Sequence, residues 1–115
     1  MVQLLDIVFK SQKLAQIFNS EKNLKKKYGT KCSRTIMIRM SVLRNASTLE
    51  IVPKTPPDRC HQLKGRRKGQ FAVELDATRR LVFKPNHEQI PLSNDGGIDL
   101  NGVTAIMILD VTDYH

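Results

Sequence analysis

An α+β fold is what this 115-residue sequence predicts: two N-terminal helices packed on one face of a small antiparallel sheet with a mixed edge, in one domain over residues 1–115. Apolar residues recur at helical spacing as far as Leu43, whereas Gln70 to Leu75 alternates with period two. Pro53, Pro56 and Pro57 separate the two patterns and exclude helix between Ile51 and Asp58. Runs of helices followed by runs of strands segregate into two layers.

Val2 to Phe9 is mostly apolar with β-branched residues and reads as a strand, and Ser11 offers an N-cap for a helix after it. From Ser11 to Tyr28, Leu14, Ile17, Phe18, Leu24 and Tyr28 trace one helical face, while lysines crowd the end that suits cations. Gly29 supplies the stop, and Thr30 can cap a second helix. Its stripe is Cys32, Ile36, Met40 and Leu43, with Arg34, Arg39 and Arg44 off it. Beyond the prolines, Cys60 to Lys64 alternates weakly, and Gln70 to Leu75 puts Phe71, Val73 and Leu75 on one face. Asp76-Ala77-Thr78 is the turn into a strand from Arg79 to Lys84, which makes a hairpin. Residues 86–103 contain Asn94-Asp95-Gly96-Gly97 and Asn101-Gly102 and read as an extended loop, and Thr104 to Val111 reads as a buried closing strand. With helices on one sheet face, the other is left free for a site.

Charge is distributed unevenly. Residues 1–60 carry 12 basic and 4 acidic side chains, whereas residues 86–115 carry five acidic ones and no Lys or Arg. Between Arg59 and Lys84 lie Arg59, Lys64, Arg66, Arg67, Lys68, Arg79, Arg80 and Lys84 against two acids, a density suited to meeting a polyanion. Lys25, Lys26 and Lys27 add a second basic cluster. The longest apolar run, Ala105 to Leu109, falls far short of the ~20 residues of a membrane span, and the opening MVQLLDIVFK lacks a basic leader. A cytoplasmic protein without membrane contact is expected, with Cys32 and Cys60 as reduced thiols.

Phosphate-loop, zinc and nucleophile-elbow patterns are absent; Lys64-Gly65-Arg66-Arg67-Lys68-Gly69 lacks the Walker order. Cys60 and His61 are adjacent and point to opposite strand faces, and no second pair lies at ligand spacing, so neither metal nor cofactor is expected. What remains is His61, Lys64, Arg80 and Asp113-Tyr114-His115, the residue types that metal-free RNA cleavage uses. Each also has a plain reading: a packed histidine, a snorkelling arginine, frayed final residues. Alternation puts Arg80, Val82 and Lys84 on the sheet face away from the helices. It sends His61 and Lys64 to opposite faces, so the two share a site only if the strand bends or ends before Lys64.

The run Arg59-Cys60-His61-Gln62-Leu63-Lys64-Gly65, then Lys68 to Val73, Arg80-Leu81-Val82-Phe83 and the terminal Asp113-Tyr114-His115, resembles the HigB branch of the RelE/ParE toxin superfamily. The resemblance spans essentially the whole chain and implies a RelE-like fold. Members of that branch are small basic toxins that enter the ribosomal 30S A site and cut messenger RNA without a metal. The resemblance therefore implies a ribosome-dependent endoribonuclease that inhibits translation and is neutralised by a cognate antitoxin, with operator DNA reached only through that antitoxin. It assigns His61 and His115 to proton transfer and Lys64 and Arg80 to transition-state charge. It leaves Asp113 to orient a histidine or take a proton, and Tyr114 to stack on or hydrogen-bond the nucleotide. Lys25, Lys26, Lys27, Arg66, Arg67, Lys68, Arg79 and Lys84 are the expected RNA- and ribosome-binding residues. Loop 86–103, with Asp95 to Asp99, is larger than in compact members and is the expected antitoxin docking region.

Two other functions fit parts of the sequence. A gyrase-poisoning toxin on the ParE side would share the fold but lack the histidine and Asp-Tyr-His constellation. A non-catalytic RNA-binding module would offer aromatic platforms, and a chain with no Trp, two Tyr and four Phe offers few.

Overall fold

The computed structural model describes residues 3–113. The elements are β1 (Asp6–Phe9), α1 (Gln12–Phe18), α2 (Glu21–Tyr28), α3 (Thr30–Arg44), β2 (His61–Gln62), β3 (Phe71–Glu74), β4 (Arg79–Pro85) and β5 (Ala105–Asp113), with short 3₁₀ turns at Leu49–Ile51, Gly65–Arg67 and Leu100–Gly102. The predicted α+β architecture is present: three helices against a five-stranded sheet of order β1-β5-β4-β3-β2. The mixed edge is β1, which runs parallel to β5 and pairs Asp6 with Ala105 and Phe9 with Ile108; the other neighbours are antiparallel.

The first predicted helix is two. Asn19 closes α1, and Ser20 opens α2 by accepting the Asn23 N–H on its hydroxyl at 3.2 Å, as Ser11 does from Leu14 at 3.1 Å for α1. The break re-aims the chain, and Phe18 and Leu24 still reach one core. Gly29 ends α2 as expected, but it also caps α3, and Thr30 is the first helical residue rather than its cap. Gly29 adopts φ 86°, ψ 164°, a conformation essentially reserved for glycine. Gly29→Ala is therefore expected to lower stability by about 1–3 kcal/mol, a loss that urea denaturation would measure.

The core lies between the helices and one sheet face. Cys32, Ile36, Met40 and Leu43 from α3 are buried against Phe71, Val73, Leu81, Phe83, Ile106 and Ile108, so the helical stripe and the strand alternation meet as predicted. Arg39 is a correction: placed off the stripe by sequence, it is 8% exposed. The free sheet face is a second correction. Leu63, Ala72 and Val82 are buried there as a small separate cluster with Leu109 packed on them. A register shift in the β4–β5 pairing between Val82 and Phe83 leaves Leu109 outside the pairing.

Residues 86–103 are more folded than an extended loop. An isolated antiparallel bridge joins Leu92 and Ile98, Asp99 N–H donates to the Pro91 carbonyl at 2.9 Å, and a 3₁₀ turn follows at Leu100–Gly102. Gly102 is required by close approach, since a Cβ there would meet the Pro91 Cβ at 2.8 Å. Among the described residues no helix is long and apolar enough to cross a membrane.

Candidate functional site

The register across four strands decides which side chains share a face. His61 opposes Ala72, Ala72 opposes Val82, and Glu74 opposes Arg80, which opposes Thr112. His61 and Arg80 are thus brought to the sheet face away from the helices, on either side of the Ala72–Val82 pair. Lys84, two residues beyond Val82, shares that face and is exposed.

The condition on Lys64 is met by early strand termination. Strand β2 ends at Gln62, the backbone turns into the 3₁₀ turn Gly65–Arg67, and exposed Lys64 lines a surface groove with Gln62, Leu63, Gly65 and Lys68. Arg67 folds this turn back onto the sheet: its guanidinium donates to the Gln70 side chain at 2.8 Å and meets the Asp110 carboxylate at 3.4 Å. Arg66 and Lys68 stay exposed beside it.

Not every expected residue lies there. Asp113 opposes Arg79 rather than Arg80, which puts it on the helix-side face, opposite to His61. Arg79 is half-buried and engaged by the fold's own groups, its guanidinium within 2.9 Å of the Asp76 carboxylate and 3.4 Å of the Tyr28 carbonyl. Burial raises the Asp76 pKa, but hydrogen bonds from the Thr78 and Arg79 N–H groups and the Arg79 guanidinium outweigh it and hold the carboxyl below its ordinary value. The turn's contribution is complete above the ordinary carboxylate range and is lost as pH falls through the lowered value. Lys25, Lys26 and Lys27 lie exposed at the end of α2, Lys25 paired with Glu21 at 3.2 Å. Tyr114 and His115 lie outside the described residues.

His61 is held by its own chain. Its Nδ1 donates to the Arg59 carbonyl at 2.7 Å, and Arg59 has φ 44°, an uncommon value for a residue with a side chain. The Arg59 guanidinium reaches Glu74 Oε1 at 2.9 Å. Arg39 and Glu74, neither of them singled out by sequence, thus border the segment that carries His61. The signal for Arg39 was its spacing, three residues after Ile36 and four before Leu43, on the buried side of α3.

Neither cysteine offers a nucleophile. Both are free and buried, and desolvation pushes the Cys60 thiol up to about 11, with Lys54 opposing and Asp58 reinforcing the rise. A thiol of that pKa is ~10⁻⁴ ionised at pH 7 against ~3% for an ordinary one. Alkylation of the native protein at neutral pH is expected to spare Cys60 and to modify it readily once urea unfolds the chain, as intact mass would show. Among the described residues no group of three or more His, Cys, Asp or Glu is placed to hold a metal ion.

With this geometry the chain superposes on solved bacterial toxins. The YoeB/ParE toxin from Agrobacterium tumefaciens matches with a TM-score of 0.53 at 12% identity, covering 96% of this chain and 100% of that one. The fold is that of the YoeB/ParE-type toxins. The YoeB–YefM complex from Staphylococcus aureus contains a second such chain, with a TM-score of 0.51 at 16% identity over 96% of this chain and 97% of that one. By sequence, no family profile and no curated protein matches. In this chain the helical layer lies on one sheet face; His61 and Arg80 stand on the other.

Proposed function

We propose that this protein is a HigB-like toxin, a cytoplasmic, metal-independent endoribonuclease that cuts messenger RNA in the ribosomal A site and is restrained by a cognate antitoxin. The observation that carries the reading is the register that sets His61 and Arg80 on one sheet face, beside a turn bearing Lys64, Arg66 and Lys68. In-line cleavage begins when the ribose 2′-OH gives up its proton and its oxygen bonds to the adjacent phosphorus. The P–O5′ bond then breaks and the leaving oxygen takes a proton, leaving a 2′,3′-cyclic phosphate and a 5′-OH. His61 and His115 handle the two protons, and Lys64 and Arg80 meet the charge that develops on the phosphate oxygens. Asp113, on the other face opposite Arg79, is left as a charge beside that guanidinium. Exposed Lys84, with Lys25, Lys26 and Lys27, extends the surface that meets ribosomal phosphate. The antitoxin partner is supported by the solved complex of the similarly folded YoeB with YefM.

Primer extension on a translated message tests this reading. Cuts within codons that require ribosomes, persist in a chelator that leaves the ribosomes intact, and yield cyclic-phosphate ends support it. Cuts carrying 5′-phosphates, or no cuts alongside gyrase inhibition, overturn it.

A further inference from the structure

The turn before β2 is built around a charge that cannot reach any substrate. Arg39 projects from α3 into the protein, where its Nε donates to the Glu74 carbonyl at 2.7 Å, its Nη2 donates to the Pro57 carbonyl at 3.3 Å, and Asp58 Oδ1 lies 3.7 Å from Nε. Both partners of the ion pair are nearly inaccessible, with 9% and 10% of their side chains exposed. Glu74 N–H in turn donates to the Asp58 carbonyl at 2.8 Å, and Arg59 N–H donates to the Thr55 carbonyl at 3.0 Å. Between these anchors and β2 lie Arg59, at φ 44°, and Cys60, whose N–H donates to the Pro53 carbonyl at 2.9 Å; the Arg59 carbonyl receives His61 Nδ1 at 2.7 Å. A carbonyl oxygen only accepts, so Nδ1 must carry hydrogen in this contact and Nε2 of the neutral ring keeps its lone pair.

We propose that Arg39 is a positioning residue for His61: by tying the Pro57–Arg59 turn to the end of β3, the buried guanidinium aims the Arg59 carbonyl, fixes the His61 tautomer and leaves Nε2 as the atom that exchanges protons. The inference rests on His61 being a proton-transfer group and adds how the fold prepares it. Holding a histidine by its other nitrogen is the general means of selecting its reactive atom. A free neutral imidazole favours hydrogen on Nε2, so the turn must act against that preference.

The tautomer is read by long-range ¹H–¹⁵N NMR of labelled protein at about pH 8.5, where ordinary histidines are neutral. In the parent, His61 is expected with hydrogen on Nδ1. His87 serves as an internal reference, because its Nε2 accepts the Thr104 N–H at 3.2 Å and it too must carry hydrogen on Nδ1. In Arg39→Lys, whose single ammonium cannot serve both carbonyls in the same fork, His61 is expected to move toward the Nε2–H form while His87 stays unchanged. Should the lysine variant not fold, the Arg39→Met/Asp58→Leu double variant removes the pair without stranding a buried charge, and the same shift is expected. A parent His61 with hydrogen on Nε2, or a folded variant in which His61 keeps hydrogen on Nδ1, overturns the proposal. Since the readout needs no RNA, a tautomer shift alongside a His61→Ala variant of unimpaired cleavage would refute only the catalytic role.

Discussion

His61→Ala is expected to slow single-turnover cleavage of ribosome-bound message by at least about 10²-fold, the lower bound for removing a group that transfers a proton in the transition state. The substitution lies at the rim of the sheet, in a two-residue edge strand, so circular dichroism and ribosome co-sedimentation are expected to match the parent. Arg80→Ala is expected to lose about 10²–10³ in the same assay, because a preorganised cation opposite developing phosphate charge is removed. His115→Ala belongs to the same test and is expected to match His61→Ala. A folded His61→Ala variant cleaving within about threefold of the parent would remove this histidine from the chemistry.

The second large effect concerns the sheet that holds these residues. Phe83 is fully buried, stacks on Phe71 with ring centroids 6.1 Å apart, and stands in β4 between β3 and β5. Phe83→Ala is expected to cost about 3–5 kcal/mol, from lost apolar transfer and the cavity left behind. Small domains are stable by only about 5–15 kcal/mol, so this one change removes a large part of the margin. Guanidinium unfolding of parent and variant would measure it. A loss below about 1 kcal/mol would mean that the surrounding core collapses into the space.

What was legible in the sequence was the local pattern. The Cys32, Ile36, Met40 and Leu43 stripe, the Phe71-Val73-Leu75 face and the Asp76 turn each declare themselves within a few residues, and each is where the sequence puts it. The break between α1 and α2 was missed because apolar spacing continues through it. The signal available was Asn19-Ser20-Glu21, a helix-ending residue followed by a cap and a first-turn acid. The small core of Leu63, Ala72 and Val82 was missed because period two splits a strand into faces but does not say whether the second face is covered. Leu109 packs on it, and the turn that follows Leu63 is tied to β5 by the Arg67–Asp110 pair, between residues 43 positions apart.

The candidate site divides in the same way. His61 and Arg80 were chosen as residue types, and the strand register then relates them in space, a non-local fact carried by the intervening Ala72–Val82 pair. Asp113 was grouped with them by its place in a motif, yet one residue of strand parity sets it across the sheet beside Arg79. Arg39 was placed off the buried stripe because charge is the stronger prior, whereas burial of an arginine depends on partners elsewhere, here Glu74, Pro57 and Asp58.

The parallel edge of the sheet governs how this protein assembles itself. Strands β3 and β4 are joined by the four residues 75–78 and need little chain entropy to meet. Strand β1 must instead find Ala105 through Ile108, closing a ring of roughly 100 residues. Contacts of that span raise the mean sequence separation of native contacts and slow folding relative to a helical bundle. Until that ring closes, β5 carries an unpaired edge along Ala105 to Ile108, and the interval before closure is when a second copy of the chain has the opportunity to pair there instead.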